Sequence, residues 1–373
     1  MTNSFNISPS WTSEVKQTAW GALPTADNSS VSTNLVAWNK FQRLLKKSVN
    51  SGQVFSNTMV ATTNTVGSGY FGGVLSLTGD AHFIPYFAPR GQLLTRSGVI
   101  QTYSLVYTVT NAYVGGVLAA DGSIHFVPES AAVGQQVSAN GVVSTYGLVY
   151  TGVEAYRGGV LAPNGDIHFV PYGAVVGQKR SASGVVSTYS LIYTTGQAYA
   201  GGTLSPDGSI HFIPYRANRG QKVAADGTVS TYSLVYTTTG AYAGGVLDVD
   251  GSIHFAPYNA AVGQKISKDN VVSTYSLVYT TGAAYVGGVL APNGEIHFVN
   301  FTANRGQKIS STGTVSTYNL VTTFSAGAYA AGVLSEDGNI SFIPLQVTTL
   351  TRVFTGSALP FNLSTAASPW LNK

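Results

Sequence analysis

The chain has 373 residues, and only 9% of them are charged, far below the roughly 25% of an average protein. Its formal net charge is +4, and the basic residues of the repeats are balanced by acids rather than forming a strong basic patch, which argues against a nucleic-acid reader. Cysteine is absent, which excludes disulfides and cysteine nucleophiles, and no apolar run of about 18 residues predicts a membrane span.

Residues 1–53 are predicted to form an N-terminal docking extension with one short α-helix at about 34–49. Apolar residues recur there at helical spacing: Leu35, Trp38, Phe41, Leu45 and Val49. The opposite face carries the cations that account for the net charge: Lys40, Arg43, Lys46 and Lys47. Such a helix can lie on a membrane or on nucleic acid, but we favour docking of its apolar stripe on protein. The first twenty residues lack an apolar core, so no Sec-type signal peptide is predicted.

Residues 54–355 are organised by a repeat of 43 residues, marked by a glycine pair at 72/73, 115/116, 158/159, 201/202, 244/245 and 287/288. The seventh copy has Ala331-Gly332 instead. The fifth copy predicts strands over 243–247, 253–255, 263–266 and 271–280, with turns at Asp250-Gly251 and Asp269-Asn270. These turn pairs suit tight hairpins in which φ is positive. Four short strands in each of seven copies predict an all-β fold, a seven-bladed β-propeller with four-stranded blades. We expect the glycine pair on the innermost strand, where blades crowd at the axis.

The string GGVL-x-P-[DN]-G-x-IHF-[VI]-P resembles the G-x-A-x-x-x-D-G-x-[IL]-Y core of NHL-like and kelch-like propeller repeats. The resemblance implies the fold and no particular activity, because propellers carry many functions. Residues 57–65 stand where other copies have an outer strand, so we expect them to complete the last blade. Completion wholly by the C-terminus is the alternative, and residues 356–373 form a predicted tail.

The four tryptophans all lie in the flanks: Trp11, Trp20, Trp38 and Trp370. Together with Phe41 and Leu45 they are predicted partner-docking residues, because tryptophan is enriched among interface anchors. The predicted partners are other structural proteins of the same particle.

The six histidines occupy one repeat position: His82, His125, His168, His211, His254 and His297. A shared metal is not expected, because equivalent positions spread around a ring. We expect structural histidines, each bonding the backbone of a neighbouring blade, and a loosening of the blades below about pH 5.

Two recurring sets are candidate ligand contacts. Tyrosines precede the glycine pair in Tyr113, Tyr156, Tyr199, Tyr242 and Tyr285, and loop arginines recur as Arg90, Arg219 and Arg305. The tyrosines suit sugar stacking at a channel rim or packing under connecting loops, and we favour packing.

No nucleophile elbow, phosphate-binding loop or zinc-protease motif is present, and no convergent carboxylates are expected at the channel mouth. The chain is therefore predicted not to be an enzyme and to need no cofactor or metal. The favoured function is a structural or attachment component of a larger particle, foremost a virion, as a capsid decoration, head-fibre or tail protein of a phage or virus. The alternative is a multivalent carbohydrate-binding propeller for a cell-surface glycan, located outside the cell by a non-Sec route.

Overall fold

The computed structural model describes residues 59–61, 68–320, 327–335, 338–347, 349–353 and 355. These residues form 28 β-strands, numbered in chain order, in seven antiparallel four-stranded sheets. No helix among them has the length and apolarity to cross a membrane. The predicted helix at 34–49, the four tryptophans and the tail at 356–373 lie outside the described residues.

Each sheet is one blade, with its strands in order from the axis to the rim. The innermost strands are Tyr70–Leu75 (β2), Tyr113–Leu118 (β6), Tyr156–Leu161 (β10), Tyr199–Leu204 (β14), Tyr242–Leu247 (β18), Tyr285–Leu290 (β22) and Tyr329–Leu334 (β26). The second strands are Ala81–Pro85 (β3), Ile124–Pro128 (β7), Ile167–Pro171 (β11), Ile210–Pro214 (β15), Ile253–Pro257 (β19), Ile296–Asn300 (β23) and Ile340–Pro344 (β27). The third strands are Arg90–Leu94 (β4), Val133–Val137 (β8), Val176–Arg180 (β12), Arg219–Val223 (β16), Val262–Ile266 (β20), Arg305–Ile309 (β24) and Thr349–Val353 (β28). The outer strands are Ile100–Ser104 (β5), Val143–Gly147 (β9), Val186–Ser190 (β13), Val229–Ser233 (β17), Val272–Ser276 (β21), Val315–Asn319 (β25) and Met59–Ala61 (β1).

The two ends of the chain meet in blade 7. Blades 1 to 6 each use four consecutive strands, whereas blade 7 joins β26, β27 and β28 to β1. Strand β1 pairs antiparallel with β28, so that Met59 lies opposite Thr351. Strand β2 packs against β26, which closes the ring. The prediction that N-terminal residues supply the outer strand of the last blade is confirmed.

The glycine pairs lie on the innermost strands, as predicted, and each glycine has its own steric reason. A Cβ on Gly158 would lie 3.1 Å from the Cα of Gly201 in the next blade. A Cβ on Gly159 would lie 2.6 Å from a methyl group of Val117 in the preceding blade. The first glycine therefore lets inner strands approach at the axis, and the second lets blades stack.

The apolar core lies between blades. Second strands are buried along their whole length, and Phe212 of β15 is fully buried. Val160 and Val170 of blade 3 pack against Tyr199 and Phe212 of blade 4, and similar clusters fill other blade junctions. Burial of this kind is the main favourable contribution to folding.

The predicted outer strand at 271–280 is too long, because β21 ends at Ser276. Beyond it the chain crosses to the next blade, where the amides of Val278 and Tyr279 donate to the Gln307 side chain at 3.0 and 2.8 Å. The turn prediction is confirmed, since Gly251 and Asn270 have φ of 85° and 63°. We call the face that holds these blade-to-blade crossovers and the loops between second and third strands the crossover face. The tight hairpins lie on the opposite face.

Candidate functional site

The axial channel opens on the crossover face as a cavity of about 310 Å³. Most of its wall is the glycine-rich backbone of the seven inner strands. Four aromatic side chains and one arginine line it as well: Phe71, Tyr215, Tyr258, Phe301 and Arg157. Cavities of this size, largely apolar with a few polar groups, are typical of small-molecule sites.

An aromatic collar surrounds this mouth. It is formed by the residue that follows the second strand in most blades: Tyr86, Tyr172, Tyr215, Tyr258 and Phe301. The rings of Tyr172, Tyr215, Tyr258 and Phe301 succeed one another with centroids 5.7–5.8 Å apart and planes tilted by 45–57°. Tyr215, Tyr258 and Phe301 of the collar line the axial cavity, so an aromatic residue repeated at one loop position forms part of the wall around the axis.

The aromatic position of the collar is taken by Leu345 in blade 7 and by Glu129 in blade 2. We call the group around Glu129 the polar corner. Arg157 of β10, the only charged residue at its repeat position, donates from Nε and Nη2 to Glu129 Oε1 at 2.8 and 2.7 Å. Its guanidinium lies 3.8 Å from the centre of the Tyr172 ring. Glu154 lies 3.7 Å from Arg157 Nη2 and accepts a hydrogen bond from Gln197 at 3.1 Å. The polar corner comprises Glu129, Glu154, Arg157, Tyr172 and Gln197.

Glu129 depends on its arginine partner. Its side chain is 2% exposed, and this burial raises the pKa of the carboxyl, while the Arg157 guanidinium acts in the opposite direction. The Tyr86 hydroxyl also donates to it. A buried carboxylate without its cation is costly, so Arg157 is held in place by charge as well as by stacking on Tyr172. The Arg157 side chain is nevertheless 25% exposed, and its Nη1 donors make no hydrogen bond or ion pair within the described residues.

Sequence reasoning missed the polar corner. Glu129 and Glu154 lie on either side of Arg157, which lines the cavity, whereas neither carboxylate is among the residues that line it. The polar corner could have been found in the sequence from residues that depart from the repeat. Glu129 and Arg157 occupy the positions that Tyr215 and Ala243 occupy two repeats later.

The six histidines lie away from this mouth, in the second strands, and are buried. Each places Nδ1 3.2–3.4 Å from a tyrosine hydroxyl of its own blade's outer strand, as His168 does with Tyr189. The expected bond to the backbone of a neighbouring blade is therefore wrong. The tyrosine reaches across the third strand because a glycine there leaves room: a Cβ on Gly177 would lie 2.2 Å from the Tyr189 ring.

Burial keeps these imidazoles neutral. It lowers the pKa of His82, His168, His211 and His254 to about 4 and that of His125 to about 3. The pKa of His297 is lowered for the same reason. Within the described residues no three His, Asp or Glu side chains come together as a metal would require.

The polar link between blades is a glutamine, which sequence reasoning also missed. Gln221 is fully buried, and its Oε1 accepts from the amides of Ile192 and Tyr193 in the preceding blade at 3.0 and 2.9 Å. The same pair of bonds is made by Gln135, Gln178, Gln264 and Gln307. Its signal was the Gly-Gln that recurs in the third strand of the first six copies, to which we assigned no role.

The candidate tyrosines at the strand starts, Tyr113, Tyr156, Tyr199, Tyr242 and Tyr285, are at most 1% exposed. Each hydroxyl donates to the first carbonyl of the third strand in its blade, at 2.9–3.2 Å. They therefore have no ring face free for a ligand. Arg90, Arg219 and Arg305 are exposed at the starts of third strands and are not among the residues that line the axial cavity.

The comparisons with known proteins identify the fold. No family model matches, and no curated protein matches. A streptogramin B lyase structure matches with a TM-score of 0.70 and 21% identity, covering 80% of this chain and 98% of that chain. A catalytically inactive histidine-to-alanine variant of virginiamycin B lyase from Staphylococcus aureus, with quinupristin, matches with a TM-score of 0.70 and 17% identity, covering 80% and 99%. The extracellular domain of a hybrid two-component system from B. thetaiotaomicron matches at a TM-score of 0.63 and 11% identity, covering 83% and 44%. At these identities the matches show a shared propeller fold.

These matches overturn the prediction that the chain is not an enzyme. That prediction rested on missing catalytic motifs, yet two lyases match this propeller over nearly their whole length. The absence of a familiar motif is therefore no argument against catalysis on this fold. The same comparisons lend no support to a phage or virion origin.

Proposed function

We propose that this chain is a ligand-binding propeller that takes a small ring-bearing organic molecule into the mouth of its axial channel. The observation that carries the proposal is the polar corner, where Arg157 presents unpaired Nη1 donors to a cavity otherwise lined by glycine backbone and aromatic rings. A few oriented polar groups in an apolar cavity give a ligand its orientation, and the aromatic wall gives contact area.

The repeat also argues for one site rather than six. Glu129 and Arg157 each occur once among seven equivalent positions, so the polar corner belongs to a single blade junction. A multivalent lectin would need the same contacts in every blade. The strand-start tyrosines, which were the candidates for such contacts, are buried.

The test is a small-molecule screen by thermal shift and ligand-observed NMR, followed by titration of hits against variants. Arg157→Ala should weaken binding at least tenfold, because a hydrogen bond from a charged donor is worth about 1.5–3 kcal/mol. Lys268→Ala, on the opposite face, is the matched control and should leave the affinity for the ligand unchanged. Loss of affinity in Arg90→Ala with Arg157→Ala unaffected would contradict the proposal and favour the loop arginines.

Catalysis of an elimination at the same mouth is a second candidate, favoured by the two lyase matches and by the carboxylates Glu129 and Glu154. A lyase of this kind needs a group that takes up a proton, and a buried carboxyl with a raised pKa suits that role. No histidine can serve, because all six are buried in the blades. Incubation with quinupristin followed by liquid chromatography tests this. Turnover lost in Glu129→Gln supports it, and unchanged quinupristin counts against this substrate.

Attachment to a larger particle remains a prediction. This prediction rests on the flanking residues 1–53 and 356–373. The predicted partners and the predicted virion or extracellular location rest on the same residues.

A further inference from the structure

The wall of the axial cavity offers hydrogen-bond donors and acceptors together. Each innermost strand is the last strand of its sheet, so one of its edges has no strand partner. Such an edge carries alternating N–H and C=O groups. These edges border the axis, and the glycine pairs leave them uncovered by side chains.

Side chains add groups of the same mixed kind. Arg157 Nη1 donates, and the hydroxyls of Tyr215 and Tyr258, which both line the cavity, can donate and accept. These hydroxyls make no hydrogen bond within the described residues. A ligand that matches this wall must itself carry several groups that both donate and accept, which is the property of hydroxyl groups.

The wall of the cavity has no uncompensated charge. Arg157 is the one charged residue among those that line the cavity, and its ion pair with the buried Glu129 carboxylate offsets that charge. A site balanced in this way gives neither an anion nor a cation an advantage. The expected ligand is therefore neutral.

The collar geometry favours a saturated ring. Successive rings are tilted by 45–57°, so they form a curved wall rather than the parallel slot that would sandwich a planar aromatic ligand. A pyranose presents C–H groups on its faces and hydroxyls around its edge, which matches a tilted aromatic wall beside a polar backbone. At about 310 Å³ the cavity is at the small end of ligand sites, which span about 300–1,000 Å³.

We infer that the ligand of this mouth is a neutral pyranose sugar, as a mono- or disaccharide, bound singly on the axis. The sugar ring packs on Tyr215, Tyr258 and Phe301, and its hydroxyls bond Arg157 Nη1, the two tyrosine hydroxyls and the inner-strand backbone. This inference rests on the proposed function and adds the ligand class.

The experiment titrates the full chain with methyl glucoside, methyl galactoside, methyl mannoside and N-acetylglucosamine, with matched uronates and amino sugars as charged probes. Tyr215→Phe and Tyr258→Phe remove only a hydroxyl, and Phe301 at the equivalent position shows that the fold accepts phenylalanine. Each should weaken binding of a neutral sugar about threefold to tenfold, the effect of one neutral hydrogen bond. Tyr150→Phe, in a crossover outside the cavity, is the control and should bind as the unaltered chain does.

The outcomes separate this inference from the proposed function. Binding of a neutral pyranoside that both phenylalanine variants weaken supports it. If no sugar binds, but ring-bearing molecules from the screen bind and Arg157→Ala weakens them, the inference is overturned and the proposed function stands. If a sugar binds equally well to Arg157→Ala and both phenylalanine variants, the site is elsewhere and both fail.

Discussion

Two regions of the molecule use the same loop position for different purposes. In blade 4 it holds Tyr215, one ring of the aromatic collar, whereas in blade 2 it holds Glu129, which binds Arg157 of blade 3. The blade bodies, in contrast, keep the same histidine–tyrosine pair and inter-blade glutamine in copy after copy. Repeated residues thus build the ring, while departures from the repeat mark the place where we propose that a ligand binds.

Acid should produce the largest effect, because it acts on six blades together. The folded chain holds five of its imidazoles neutral with pKa values of about 3 to 4 and lowers the pKa of His297 as well, whereas an unfolded chain binds protons at about pH 6.5. Their stabilisation is therefore complete above about pH 6.5 and is lost as the pH falls towards 4. At about 1.4 kcal/mol for each pKa unit, the five histidines with these values can together offset the typical stability of about 5–15 kcal/mol.

A melting series from pH 7 to pH 4 measures this, and a flat melting temperature would contradict it. His168→Ser copies Ser341 of blade 7 and tests the cause. This variant should take up about one proton fewer on unfolding near pH 5.

The next largest effect is expected from replacing the glycine of the third strand, which leaves room for the tyrosine ring. A Cβ on Gly177 would lie 2.2 Å from the Tyr189 ring, so Gly177→Ala must displace that ring from His168. Overpacking of this kind costs about 3 kcal/mol. Gly147 meets nothing within 4 Å of an added Cβ, so Gly147→Ala is the matched control. Equal urea unfolding midpoints for the two variants would show that the ring position is not constrained.

A smaller effect is expected from the glutamine link. Gln221→Leu removes the acceptor of two amides in the preceding blade, and we expect a loss of about 2 kcal/mol. Gln101→Leu on an exposed outer strand should stay within about 0.5 kcal/mol. If chemical denaturation gave the same free energy of unfolding for both, the glutamine would not be the inter-blade link.

Most of the fold could be predicted from the sequence, because the pattern of strands and turns of one blade recurs in seven copies. Asp250-Gly251 and the glycine pairs indicated turns and inner strands correctly, since their backbone requirements are local. The partner of His168 could not be predicted, because it depends on Tyr189 crossing a neighbouring strand, a distance that repeat spacing does not show.

The candidate site was hidden for a related reason. Glu129 and Arg157 are 28 residues apart and lie in different blades, and the packing of blade 3 against blade 2 brings them to 2.7 Å. The strand-start tyrosines recur in every blade and were therefore candidate ligand contacts. They recur because each is buried in its own blade. Comparing each copy with the repeat, and asking which odd residues share a blade junction, would have found the polar corner.

The central claim is that Glu129 and Arg157 serve binding rather than folding. The double variant Glu129→Tyr/Arg157→Ala restores the residues found two blades on, Tyr215 and Ala243, and leaves no buried charge unpaired. Replacing a buried ion pair with well-packed residues is commonly neutral or stabilising by about 1–4 kcal/mol. Its melting temperature and its affinity for the mouth ligand should be measured on the same sample. We expect an unchanged or higher melting temperature with binding lost, whereas a destabilised propeller that still binds the ligand would contradict a binding role for this pair.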